Sequence, residues 1–64
     1  MTKKNKLWRR ILGYQVGERV RIRAFPKKVW TITEVELVNG IRLYTVETKD
    51  GDFMYISDED ILEE

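Results

Sequence analysis

The dipeptide Asn39-Gly40 constrains the fold of this chain more than any other feature of the sequence. A β-hairpin closed by a two-residue type I′ turn needs positive φ at both central residues, and Asn followed by Gly meets that requirement best. Apolar residues stand on both sides of the dipeptide, so the pattern predicts two antiparallel strands joined by a tight turn. Asp50-Gly51 repeats the signal one strand later and predicts a second hairpin of the same kind.

A turn at Asn39-Gly40 also fixes which side chains share a face of the hairpin. Successive side chains of a strand point to opposite faces, so the register separates a core face from a solvent face. The face that we expect to form the core carries Val35, Leu37, Tyr44 and Val46.

Two further apolar residues, Trp30 and Ile32, come earlier in the same strand. Their even-numbered positions place them on the face opposite Val35 and Leu37. A β-bulge adds one residue to a strand and so reverses the direction of the side chains on one side of it. We expect a bulge near Thr33-Glu34 to turn Trp30 and Ile32 inward.

The second turn signal sets the register of the next strand. A two-residue turn at Asp50-Gly51 predicts that Val46 pairs with Tyr55. With that parity, five apolar side chains fall on the face opposite the core, namely Val38, Ile41, Leu43, Met54 and Ile56.

The residues before and after the two hairpins complete a small β fold. Val20 and Ile22 alternate with arginines and predict a first strand. Residues 25–28 predict an exposed loop, because Pro26 has no N–H to donate, and residues 29–38 predict the second strand.

The C-terminal end combines a capping residue with acids. Ser57 is a favourable N-cap, and the three acidic residues after it suit the first turn of a helix. We expect a single 3₁₀ turn there, followed by a last short strand at Ile61-Leu62.

Residues 1–13 form a separate unit, which we predict to be a basic amphipathic helix or arm, with the barrel occupying residues 14–64. The apolar side chains of the helix follow i,i+4 spacing and are Leu7, Trp8, Ile11 and Leu12. A helix this short needs a surface to rest on. That surface can be the barrel, a partner protein, or an anionic lipid or nucleic acid.

The order of these elements resembles a known architecture. Four or five short strands, a glycine entering the first of them at Gly17, two tight hairpins and one helical turn before the last strand are similar to the SH3-like barrels of the KOW, Tudor and related families. The resemblance implies a mainly β fold, a small SH3-like antiparallel barrel. Fold alone does not specify function.

Two segments also resemble the type II dihydrofolate reductases, which work as tetramers around a central pore. They are residues 17–21, with the sequence GERVR, and residues 44–47, with the sequence YTVE. That family lines its pore with a Val-Gln-Ile-Tyr stretch and a lysine, whereas residues 53–56 here read FMYI and the lysine position falls on Ile22. We therefore predict no reductase activity.

Composition excludes several other functions. The 64 residues contain no Cys and no His, which excludes zinc fingers and thiol catalysis. No apolar run approaches the ~20 residues that cross a bilayer, and Arg9 and Arg10 interrupt the stretch that a signal peptide would need. The acids near the C-terminus lack the spacing of a calcium loop. We expect a soluble, non-enzymatic protein of a reducing cytoplasm, without metal or cofactor.

Charge along the chain suggests a nucleic-acid surface. Residues 1–30 carry ten of the 12 basic residues, and residues 31–64 carry ten of the 11 acidic residues. Cations that neutralise phosphates and an aromatic ring that stacks on a base are the parts of such a surface, and the candidates are Arg9, Arg10, Arg19, Arg21, Arg23, Lys27, Lys28 and Trp30. The same charges can instead neutralise each other across paired strands.

Binding to protein is the alternative function. The five apolar residues opposite the predicted core are too many for a solvated surface, and they can meet the N-terminal helix, a second copy or a larger protein. A small barrel of this plan is similar to accessory proteins of phages and plasmids. The sequence predicts DNA or RNA as partner, with an adaptor, inhibitor or homo-oligomer role as the alternative.

Overall fold

The computed structural model describes residues 13–62, which form one five-stranded antiparallel sheet. A single 3₁₀ turn, η1, covers Asp58–Asp60. The fold is mainly β, as the sequence predicts. The strands are β1 (Arg19–Ile22), β2 (Phe25–Val38), β3 (Ile41–Glu47), β4 (Phe53–Ser57) and β5 (Ile61–Leu62).

The strands follow one another across the sheet in the order β4-β3-β2-β1-β5. After η1 the chain returns to the far side of the sheet, where the short β5 pairs with β1. The strands β4 and β5 are the two edges, so the sheet of residues 13–62 is not closed into the barrel that the sequence suggests. The predicted N-terminal helix lies outside the described residues. No helix within residues 13–62 could span a membrane.

The first hairpin forms at Asn39-Gly40 as predicted. Both residues have positive φ, 51° and 79°, which a type I′ turn requires. Val38 pairs with Ile41, and Val35 pairs with Tyr44, in the expected register.

The bulge that the parity of Trp30 and Ile32 requires is also present. Ile32 pairs with Val46, whereas the next paired residue of β2 is Glu34, so Thr33 is the additional residue. Trp30 and Ile32 are consequently buried.

The predicted loop at residues 25–28 belongs to β2 instead. Phe25 pairs with Ile22 and Trp30 pairs with Val20, which leaves four residues of β2 opposite a single residue of β1. Those four residues bulge from the ladder and are exposed. Pro26 is tolerated in this strand because its position needs no N–H.

The second hairpin departs from the predicted register. The Thr48 N–H donates to the Asp52 carbonyl over 2.8 Å, the Gly51 N–H donates to the Thr48 carbonyl, and Gly51 has φ 93°. This is a three-residue loop that ends in a left-handed glycine, rather than a two-residue turn. As a result Val46 pairs with Met54, not with Tyr55.

A shift of one residue exchanges the two faces of β4. Met54 and Ile56 point towards the core, and Phe53 and Tyr55 point to solvent. The expectation that Met54 and Ile56 lie opposite the core is wrong for this reason.

The core lies on one face of the sheet and receives residues from every strand. Val35, directly opposite Tyr44, and Leu37, nearer the hairpin tip, share this face but are exposed, so the expectation that they belong to the core is wrong. The buried residues are Val20, Ile22, Trp30, Ile32, Tyr44, Val46, Ile56 and Ile61. Tyr14 and Met54 pack against them half-buried.

Val46→Ala tests this core. Val46 is fully buried, so removing two methyl groups leaves a cavity and should lower the free energy of unfolding by about 1–3 kcal/mol. Val16→Ala removes the same groups from an exposed side chain and should change it by less than about 0.5 kcal/mol. Urea denaturation measures both, and equal effects would contradict the described packing.

Candidate interaction surface

The arginines of β1 lie on the outer face of the sheet, which we define as the face opposite the core. Arg19 and Arg21 are exposed and alternate with the buried Val20 and Ile22. Arg23 follows in the turn between β1 and β2 and is also exposed. The arginine row predicted from the sequence is therefore on the surface.

Two of the predicted cations, Arg23 and Lys28, contact other parts of the fold. Arg23 Nε donates to the carbonyl oxygen of Glu59 over 3.0 Å. Lys28 Nζ lies 3.6 Å from a carboxylate oxygen of Asp52, although both side chains are largely exposed and such a pair contributes little to stability. Lys27 is exposed. Two of the predicted nucleic-acid residues, Arg23 and Lys28, thus have a partner within the fold.

Trp30 is a core residue and not a stacking platform. Its side chain is 3% exposed, because the bulge at Thr33 turns it inward. The centroids of the Trp30 and Phe25 rings are 6.1 Å apart, and Lys28 Nζ lies 5.9 Å from the centroid of the Trp30 ring. The interpretation of Trp30 as a base-stacking residue is therefore wrong.

The apolar surface predicted for a protein partner is divided by the register of β4. Val38 and Ile41 are exposed at the hairpin tip, and Leu43 is half-buried on β3. Met54 and Ile56 belong to the core side instead. The remaining candidates lie outside the described residues, and they are Leu7, Trp8, Arg9, Arg10, Ile11 and Leu12.

An aromatic pair that the sequence reasoning missed occupies the outer face of β4. Phe53 is 60% exposed and Tyr55 is 71% exposed. Their rings lie edge to face, with the centroids 6.0 Å apart and an angle of 80° between the ring planes. The incorrect two-residue turn concealed them, because it assigned both residues to the core face. The glycine in Asp50-Gly51 is compatible with either loop length.

Three acidic residues lie near this aromatic pair in the ladder or in the sequence. Glu47 lies directly opposite Phe53 in the ladder, and Asp52 precedes Phe53 in the chain. Glu34 pairs with Thr45, which in turn pairs with Tyr55. The three acids are exposed. The outer face of β4 therefore carries two exposed rings with a carboxylate, Glu47, directly opposite Phe53, while Asp52 is paired with Lys28.

A second polar cluster lies on the core side, where the chain enters the sheet. The Tyr44 hydroxyl donates to Asp58 Oδ1 over 2.6 Å and accepts from the Tyr14 N–H over 3.2 Å. Arg42 Nη1 lies 3.4 Å from the other Asp58 oxygen. A Cβ at Gly13 would lie 2.7 Å from the Tyr44 hydroxyl, so only glycine fits there. The cluster joins the start of the described chain, β3 and η1.

This cluster has a structural role. Burial, followed by the hydrogen bond to Asp58, raises the pKa of Tyr44 above its ordinary value. The adjacent open groove of about 350 Å³ is lined by side chains of Leu37, Ile41 and the same Arg42–Asp58 pair. Asp58, which lines this groove, is paired with both Arg42 and Tyr44.

No family model, curated protein or solved structure matches this chain. Within residues 13–62, no group of three or more acidic, His or Cys side chains is arranged to hold a metal ion. The outer face of the sheet carries exposed aromatic rings on β4 and exposed arginines on β1.

Tyr44→Phe tests the role of the buried hydroxyl. The change leaves Asp58 Oδ1 and the Tyr14 N–H without their partner and should cost about 1–3 kcal/mol at neutral pH. The raised pKa of Tyr44 in the folded state means that the native chain holds the phenol proton more tightly than the unfolded chain. Its contribution is complete below pH ~10 and is lost as the pH rises through the folded-state value.

Urea titrations between pH 8 and 11 measure this contribution. The wild type should lose more stability than Tyr44→Phe over that interval, so the two stabilities should converge. Tyr55→Phe, which changes an exposed tyrosine, is the matched control and should follow the wild type. A constant difference between wild type and Tyr44→Phe across the interval would contradict the account.

Proposed function

We propose that this chain is a non-enzymatic protein-interaction module that binds its partner through the outer face of β4. The exposed Phe53–Tyr55 pair is the observation that carries the proposal. The strand order, with η1 before β5, supports an SH3-like plan for the module, of the kind used by KOW and Tudor domains. On such a plan, the sheet is the scaffold that presents the aromatic rings.

The composition of the surface favours a protein partner. Aromatic and arginine side chains are enriched in the energetically important parts of protein interfaces. Phe53 and Tyr55 are adjacent and more than half exposed, so contact with a partner would remove apolar area from water at two neighbouring positions. Both are held on a strand, which limits the entropy that binding must overcome.

The charges next to the rings favour protein over nucleic acid. A base stacked on Phe53 would bring its phosphates close to Glu47, which lies directly opposite, and the cation beside Asp52, Lys28, is already paired with that acid. Phosphate binding requires cations at that position. The arginines of β1 are separated from β4 by two intervening strands.

Nucleic-acid binding is the second candidate, and the exposed Arg19, Arg23 and Lys27 are the observation that favours it. It would use β1 and the start of β2, without Trp30. Each cation contributing to such a contact should add about 0.7 to 0.9 to the dependence of log K on log salt.

The double variant Phe53→Ser/Tyr55→Ser tests the proposal. Protein captured on the wild type from a nuclease-treated extract of the source organism should be identified and purified, and its binding then measured by calorimetry. We expect the double variant to weaken binding at least tenfold while keeping the wild-type fold by circular dichroism. Leu37→Ser/Ile41→Ser, which alters equally exposed residues on the first hairpin, is the matched control and should bind normally.

Two results would contradict the proposal. One is normal binding by the Phe53→Ser/Tyr55→Ser variant together with loss of binding by the hairpin variant. The other is salt-sensitive binding of the wild type to DNA or RNA that falls when Arg21, Arg23, Lys27 and Lys28 are changed to Ala, because that result would assign the function to the basic residues.

A further inference from the structure

The hydrogen bonds of the second hairpin define which backbone groups of β4 are open. Along an edge strand of an antiparallel sheet, the backbone N–H and C=O groups of alternate residues point towards the neighbouring strand and away from it. The bond from Thr48 N–H to the Asp52 carbonyl begins the series, so Met54 and Ile56 bond towards β3. The N–H and C=O groups of Phe53 and Tyr55 therefore point away from β3, at the outer edge of the sheet.

Ser57 supports this assignment and marks the end of the open edge. It is the next outward residue in the alternation, and its N–H donates to Asp60 Oδ2 over 3.0 Å rather than to β3. Within residues 13–62 no strand pairs with the outer edge of β4. The open edge thus offers the donors and acceptors of Phe53 and Tyr55.

The edge lacks the features that usually prevent strand pairing. Natural edge strands carry charged residues, prolines or bulges that exclude a further strand. The five residues of β4 read FMYIS, with no charge and no proline, and each pairs in regular register with β3. An extended segment can therefore pair with it.

We propose that the partner contributes an extended basic segment that joins the sheet beside β4 as a sixth strand. This inference rests on the proposed function and specifies the chemistry of its partner. Addition of a strand to a sheet edge is an established mode of peptide recognition, in which backbone bonds supply affinity and alternate side chains supply specificity.

The side chains beside the edge determine which segment fits. Residues of the added strand opposite Phe53 and Tyr55 would lie on the outer face, next to the exposed rings. Lysine or arginine at these positions can lay its aliphatic stem across a ring and bring its cation towards Glu47. Acidic residues at the same positions would be repelled.

The same charges disfavour a second copy of this chain. The β4 strand of a second copy reads FMYIS, so it would bring no cation to the exposed Glu47. A basic segment from another protein has the complementary charge.

The probe for this inference is a nine-residue synthetic peptide that alternates lysine and valine. Backbone amide exchange and chemical shifts of the full chain should be followed by NMR at low salt. We expect the peptide to slow amide exchange at Phe53 and Tyr55 at least tenfold and to leave Ser57, already bonded to Asp60, unchanged. The same peptide with glutamate in place of lysine should bind at least tenfold more weakly.

Tyr55→Pro removes one outward N–H and leaves the hydrogen bonds to β3 intact, so it should weaken binding of the lysine peptide at least tenfold. Tyr55→Ala retains that N–H and should lose less affinity. If Tyr55→Pro does not fold, the exchange measurement on the wild type decides alone. No protection of Phe53 and Tyr55 at millimolar peptide would overturn the inference.

The outcomes separate this inference from the proposed function. If the Phe53→Ser/Tyr55→Ser variant loses its protein partner but no peptide protects the edge, the interaction surface is retained and strand addition is wrong. If sedimentation shows a wild-type dimer that Tyr55→Pro abolishes, a second copy occupies the edge and the assignment to a basic partner is overturned.

Discussion

The pairing of β4 with β3 is the interaction on which both the core and the candidate surface depend. With Tyr55 opposite Thr45, Met54 and Ile56 complete the core, and Phe53 and Tyr55 are left on the outer face. A shift by one residue would bury the two aromatic rings and expose two aliphatic side chains. The three-residue loop that ends at Gly51 sets this register, so the geometry of a short connection decides what the protein presents to a partner.

A minimal core explains why the remaining elements are tied together by polar contacts. A chain of this size buries a small fraction of its surface compared with larger domains. The bulge at Thr33 recruits Trp30 and Ile32, and the Tyr44 hydroxyl joins Tyr14 to Asp58. These contacts stabilise an open sheet without closing it. Within residues 13–62, the outer edge of β4 has no strand paired with it.

Turn dipeptides and the alternation of apolar side chains predicted the parts of the fold that depend on residues close together in the sequence. Asn39-Gly40 specifies a type I′ turn because both residues tolerate positive φ, and the parity of Trp30 requires a bulge. Asp50-Gly51 fits both a two-residue and a three-residue loop, and sequence pattern alone does not distinguish them. The aromatic pair was missed for that reason. The predicted bulge turns Trp30 inward, whereas the nucleic-acid hypothesis needs its ring on the surface, and the buried ring agrees with the first and not with the second.

Native-state amide exchange of β4 in the free protein tests the central claim most directly. We expect slow exchange at Met54 and Ile56, whose N–H groups bond to β3, and fast exchange at Phe53 and Tyr55, whose N–H groups point away from β3. Slow exchange at Phe53 and Tyr55 with fast exchange at Met54 and Ile56 would show the opposite register. That result would remove both the aromatic surface and the open edge from the account.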